Sequence, residues 1–319
     1  MKLREIYETA VRTGFSKEMR PKSKVLEGLK RARKEFSRAR GIDKTAFDKE
    51  RIRHPYDDTR ILFGDPDTEV HGVMVGIDIG VGEILLADRL REKGARIDLV
   101  ISHHPSGRAI AGLGTVMTIQ PAIWERFGVP GHVAEGIMKD RVGEVRRGIS
   151  SGNLTQTADA ARLLGVPLMC MHTAADNCVA SYLQGIFDRE RPRTLGKVVD
   201  VLKGMPEYRE AMRSGTGPFI LIGKEKDPAG KIFVDMTGGT SGPDKMFARL
   251  SASGVKTIVG MHCKETSFKV ASSEFINYVI AGHISSDNLG MNLVFDVMEK
   301  KGRLDIVECS GFRRFRRKG

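Results

Sequence analysis

The spacing of apolar and polar positions changes near residue 60. Before it, Val25, Leu26, Leu29, Ala32 and Phe36 recur at intervals of three and four among Lys, Arg and Glu. That spacing predicts helix with one face able to dock, punctuated at Pro21 and at His54-Pro55. After it, β-branched runs alternate with helical stretches. Val70 to Ile79 predicts a strand, Ile84 to Lys93 a helix stopped by Gly94, and Ala95 to Ser102 a second strand. Two strands joined by a helical crossover pair in parallel. Further strands are expected at 167–171, 219–223, 232–235, 257–260 and 277–281, and an amphipathic helix from Leu289 to Lys300. The pattern is that of an α/β fold with mixed or parallel sheets and a helical amino-terminal segment. No repeat of fixed period and no low-complexity segment interrupts it.

Composition narrows the class. With 319 residues, 40% hydrophobic and 29% charged, the chain has the make-up of a globular protein of one large or two smaller domains. Its four cysteines, Cys170, Cys178, Cys263 and Cys309, show no CxxC spacing, so neither a disulfide framework nor a zinc ribbon is expected. The first residues are broken by charge and do not read as a signal peptide, and no apolar run nears the ~20 residues that span a bilayer. A cytoplasmic protein without membrane contact is the expectation.

Net charge is +12, unevenly spread. Residues 1–60 carry 18 Lys and Arg against 10 Asp and Glu; residues 301–319 carry 7 against 2; the stretch between has 27 against 28. Basic ends could contact nucleic acid, but solvated helix faces and a basic tail account for them more simply.

The chemistry-bearing residues gather where strands are expected to end, which is where sites form in open α/β sheets. His103 and His104 close the second strand, ahead of Pro105. Neighbours in an extended strand point to opposite faces, so both reach one site only if the chain bends there. His172 and Asp176 follow the run Val166 to Met171 and share a helical face if a helix begins there, unless Asp176 serves as an N-cap. Cys170, two residues earlier, reads as core. His283 and Asp287 repeat the four-residue spacing after Gly282; the competing reading has Ser285, Ser286 and Asp287 capping the helix. Three such pairs at strand ends favour a centre of two divalent metal ions. Imidazole and carboxylate suit Zn, Fe, Mn or Ni. A second candidate is the loop Thr237 to Pro243, whose Gly238, Gly239 and Gly242 either expose N–H groups to an anion or allow tight packing. Gly80-Val-Gly82 lacks the third glycine of a dinucleotide fingerprint, position 85 being Leu.

The blocks DLVISHHP, MHTAAD and YVIAGHISSDNLG resemble the three motifs of the NIF-three-like dinuclear metal-centre family, also labelled GTP cyclohydrolase one type two. The likeness spans residues 60–300. It implies that His103, His104, Asp176, His283 and Asp287 ligate metal, with His172 close by; in a hydrolase His172 would then serve as a proton shuttle. It also implies two interlinked α/β domains and a hexameric ring. On that basis residues 1–58 are read as a basic helical extension, 59–188 with 255–319 as the metal-binding domain, and 189–254 as an inserted α/β domain. Three departures stand out: Asp287 where relatives usually have Glu, Gly260-Met261-His262 where Thr-Gly-Glu is frequent, and the basic segment 1–55. The second raises His262 and Glu265 as possible site residues outside the ligand set. The function expected is metal-dependent hydrolysis of a small phosphorylated or nucleotide-like compound. The alternative is a non-catalytic metal-binding regulatory or assembly protein, associated with nucleic acid through its ends.

Overall fold

A computed structural model describes residues 1–317. The helices are α1 (Leu3–Ser16), α2 (Lys22–Arg38), α3 (Gly41–Ala46), α4 (Val81–Glu92), α5 (Gly107–Ala111), α6 (Leu113–Val116), α7 (Gln120–Phe127) and α8 (Gly131–Ser150). They continue with α9 (Gln156–Leu163), α10 (Thr173–Glu190), α11 (Leu195–Lys203), α12 (Pro206–Arg213), α13 (Met246–Ala252), α14 (Glu265–Ser273) and α15 (His283–Met298). The strands are β1 (Thr59–Phe63), β2 (Gly72–Gly76), β3 (Leu99–Ser102), β4 (Leu168–Met171), β5 (Phe219–Ile222), β6 (Lys231–Asp235), β7 (Val255–Gly260), β8 (Asn277–Ile280) and β9 (Asp305–Glu308).

Two mixed sheets result. The first has the order β1-β4-β3-β2-β9, parallel except for β1, which runs against β4. The second has the order β5-β8-β7-β6, parallel except for β5. All residues of β2, β3 and β4 are buried, as parallel strands covered on both faces must be. The boundary expected at residue 254 falls inside the second sheet, between the parallel neighbours β6 and β7. The edge strands β1 and β9 were not expected from sequence; β1 has five residues and is buried only at its start, and β9 has four, exposed at both ends.

The first 58 residues are helical as expected, but they are not peripheral. Leu3, Ile6 and Ala10 of α1 are fully buried in the main core, where α1 lies against α10 and α15. Removing Leu3 and Ile6 from water contributes roughly 1.5–3 kcal/mol each. The Met1 amino group donates to the Val70 carbonyl at 3.0 Å, which fastens the segment to the start of β2. Val25, Leu29 and Ala32 of α2 are buried as their spacing predicts, whereas Leu26 of the same run is exposed and Phe36 only half-buried.

The basic carboxyl end is not a free tail. Arg314 reaches Asp296 at 2.6 Å and Glu299 at 2.7 Å, Arg316 reaches Glu299, and Arg317 grips both oxygens of Glu207 at 2.7 and 2.8 Å. Asn288 and Asn292 of α15 bind the backbone of Arg313 and Phe315. The segment is a strap over α15 because acidic partners line its path. Lys318 and Gly319, counted with the expected tail, lie outside the described residues. Among the described residues no helix is long and apolar enough to cross a membrane, and the four cysteines are free.

Candidate metal centre

Two helices bring the carboxylates together. α10 leaves the end of β4 in the first sheet, and α15 leaves the end of β8 in the second. They pack so closely that a Cβ on Gly290 would lie 2.6 Å from the Ala175 carbonyl oxygen. That contact sets Asp176 and Asp287 side by side. The turn into α15 is made by Gly282 at φ +107°, a conformation side chains resist, so the glycine beside His283 has the role its position suggests.

The bend required at the end of β3 is present: His103 N–H donates to Gly76 O and His104 N–H to Ile77 O, and the two rings lie 5.2 Å apart. His103 Nε2 is 3.4 Å from both Asp176 Oδ1 and Asp287 Oδ1. Asp287 Oδ2 is 3.3 Å from His104 Nε2 and 3.5 Å from His283 Nε2. His172 Nε2 is 3.7 Å from Asp176 Oδ2. All six residues therefore converge. His103, Asp176 and Asp287 form one group able to hold a cation, and His104, His283 and Asp287 form another; His172 adds a third arrangement with the two adjacent histidines.

The donor set fits a metal. His103 Nε2, Asp176 Oδ1 and both oxygens of Asp287 are buried without a hydrogen-bond partner. Unpaired polar atoms of this kind are costly in an interior, and a cation shared by all four could satisfy them. Each deeply placed imidazole is also oriented from behind. Nδ1 of His103 donates to Met171 O at 3.1 Å, Nδ1 of His104 to Asp78 at 2.6 Å and Nδ1 of His172 to Asp58 at 2.7 Å. Every Nε2 is thereby turned toward the carboxylates, as metal-binding histidines require.

The competing capping readings are not realised. Asp176 lies within α10, and its N–H bonds to His172 O, so it is no N-cap. Ser285 and Ser286 donate their hydroxyls to Gly282 O and leave Asp287 to the cluster.

Charge reinforces the assembly. Burial opposes a protonated His103 ring, but Asp287 and Asp176 outweigh it and raise its pKa to about 10. Burial likewise opposes charge on His172, and Asp176 and Asp58 together raise it. Burial would lift Asp287, yet His103, His104 and His283 hold its carboxyl well below the usual range. His283, which is more exposed, is lowered by burial. The Cys170 thiol is buried and pushed up to about 12 by that burial, consistent with a core role.

The cluster opens into a cavity of about 290 Å³. Gly239 and Gly242 line it, while Gly238 lies behind, where the Gln120 amide donates to the carbonyls of Gly238 and Thr240. The loop is tied to α10 by Thr237, whose hydroxyl donates to Asn177 at 2.6 Å. The following helix begins only at Met246, so these glycines precede it rather than form its first turn. His262 faces the cavity with its ring 5.0 Å from that of His283. Glu265 points away and pairs with Lys269.

Asp58 and Asp78 escape a reading based on histidine pairs. Asp78 stands just past β2, so the strand-end rule applied to that strand would have found it. Asp58 precedes β1, a strand too short to be expected, and carried no comparable signal.

No protein-family model matches the chain, and no curated protein matches it. Solved structures do. A NIF3 superfamily protein from Sphaerobacter thermophilus is 26% identical with a TM-score of 0.70, over 90% of this chain and 98% of that one. Reduced HcgD from Methanocaldococcus jannaschii is 15% identical with a TM-score of 0.53, over 97% of each chain, a likeness of fold alone.

Proposed function

We propose that this chain, which is NIF3-like in fold and motifs, holds two divalent transition-metal ions and hydrolyses a small phosphorylated or nucleotide-like compound. His103, Asp176 and Asp287 would hold one ion, and His104, His283 and Asp287 the other. The observation that carries this reading is Asp287, whose two buried oxygens face different histidines and accept no hydrogen bond. Ions bound there would supply Lewis acidity and lower the pKa of water, so the protein need contribute no separate nucleophile.

The chain's own residues supply the rest. His172, held by Asp58, is placed to carry a proton between the cluster and a leaving group. Gly239 and Gly242 form the wall against which a substrate would lie. Zn, Fe, Mn and Ni all suit the donors, GTP-like compounds are within the substrate class, and a homo-hexamer is the assembly implied by the family resemblance. Metal analysis of the purified protein, with a hydrolysis screen over nucleotides and phosphoesters, tests the proposal. Loss of both metal and turnover in Asp176→Ala is the expected result. A metal-loaded protein that turns over nothing would leave a metal-binding regulatory role instead.

A further inference from the structure

On another wall of the same cavity stands a carboxylate that the metal centre does not use. Asp235 ends β6, in the second sheet, and lines the cavity with the cluster residues. Asp176 and Asp287 face imidazoles, and Asp244 accepts from Ser267 at 2.6 Å. Asp235 has no donor or cation beside it among the described residues, and burial alone pushes its carboxyl up to about 6. Asp235 is half-buried, and the same cavity lining includes Met236, Phe247, Met261, Cys263 and the ring of Tyr278. The Tyr278 hydroxyl, also in that lining, donates to the His262 carbonyl at 3.0 Å.

A half-buried carboxylate that faces a cavity beside apolar side chains and has no protein donor costs some stability. Such a group is accounted for when a ligand brings the missing donor. Thioethers and aromatic rings beside it offer flat, polarisable contact. A cavity of about 290 Å³ is of a size for one small molecule. We propose that Asp235 is a substrate-recognition residue for a flat N–H-bearing ring, an aminoheterocycle or cyclic amide, packed on Met236, Phe247 and Met261. The ring's hydrolysable substituent then lies toward the His/Asp cluster. Only that last placement rests on the hydrolase reading; recognition of the ring needs no turnover.

Calorimetry on the metal-loaded full chain tests this with isocytosine and 2-aminobenzimidazole, each beside its N-methylated counterpart lacking N–H donors. The donor-bearing rings should bind wild type more tightly than their counterparts. Asp235→Ala should weaken them by about tenfold or more, with Asp235→Asn intermediate and the donor-free rings unaffected. Metal content should be unchanged in both variants, and their melting curves show that they fold. Unchanged binding in Asp235→Ala, no binding of either ring to wild type, or loss of metal from the variants would each overturn the proposal. Binding as expected without turnover in the hydrolysis screen would instead remove the hydrolase reading and leave recognition standing.

Discussion

His172 Nδ1 donates to Asp58 Oδ2 at 2.7 Å, and both groups are buried although 114 residues separate them in sequence. Asp58 also accepts from the Thr173 hydroxyl, so its position is fixed from two sides. It presents the imidazole in one tautomer and favours its charged form. Asp58→Asn should retain metal but lower turnover by about 10- to 100-fold. The acidic arm of the pH–rate profile should move with it, because the His172 proton is then held less firmly. Unaltered rate and profile would remove His172 from proton transfer.

Asp287 is the residue common to both candidate ion sites. Asp287→Ala should abolish binding of both ions, whereas His283→Ala should weaken only the ion shared with His104. Metal stoichiometry by mass spectrometry distinguishes these outcomes. One ion retained in Asp287→Ala would show that the sites do not share a carboxylate.

Proton linkage gives a third check. In metal-free protein the folded pKa of His103 stands at about 10, above its ordinary 6.5. A raised histidine stabilises fully below the unfolded value and loses that contribution as pH climbs through the folded one. Melting temperature in the presence of chelator should therefore fall between about pH 7 and pH 10, and His103→Gln should flatten the fall. Metal must displace the same proton, so apparent affinity should rise by up to about tenfold per pH unit over this range.

Asp235 behaves in the opposite sense. Its folded pKa of about 6 lies above the unfolded value of 3.8, so the unfolded chain releases the proton first as pH rises. Stability should decline between about pH 4 and pH 6. Because the carboxyl keeps some exposure to the cavity, about 1–2 kcal/mol is the expected cost. Asp235→Asn should remove it, giving a higher denaturation midpoint than wild type at pH 7 and none below pH 4.

The carboxyl-terminal strap predicts a stability effect. Arg317 is the cationic partner of Glu207, whose side chain is fully buried. Arg317→Ala should cost about 3 kcal/mol in urea denaturation, since it leaves a buried charge with only the Asn292 amide. Adding Glu207→Gln should recover part of the loss. Equal stability of the single and double variants would show that the ion pair contributes little.

Much of this architecture is legible in the sequence because burial on both faces leaves a strong mark. β2, β3, β4 and β8 stand out as β-branched or apolar runs, and the histidines after β3, β4 and β8 follow from the strand-end rule. The edge strands β1 and β9 are short and half-buried, and their period is weak. The docking of residues 313–317 was not legible, since an arginine-rich end looks the same whether solvent or acidic side chains meet it. Asp235 was hidden for a related reason: a carboxylate at a strand end signals chemistry only when its neighbours are known to offer it no partner.

The cluster also has a mechanical meaning. His103, His104 and His172 belong to strand ends of one sheet, and His283 and Asp287 to the helix that leaves the other. An ion shared among them would be a clasp between two halves of the molecule, added to their helix packing and to hydrogen bonds such as those of Gln184 and Asn177 with β6 and the loop after it. Chelation should unfasten that clasp first, and amide exchange at the start of α15 should report the loosening before either sheet melts.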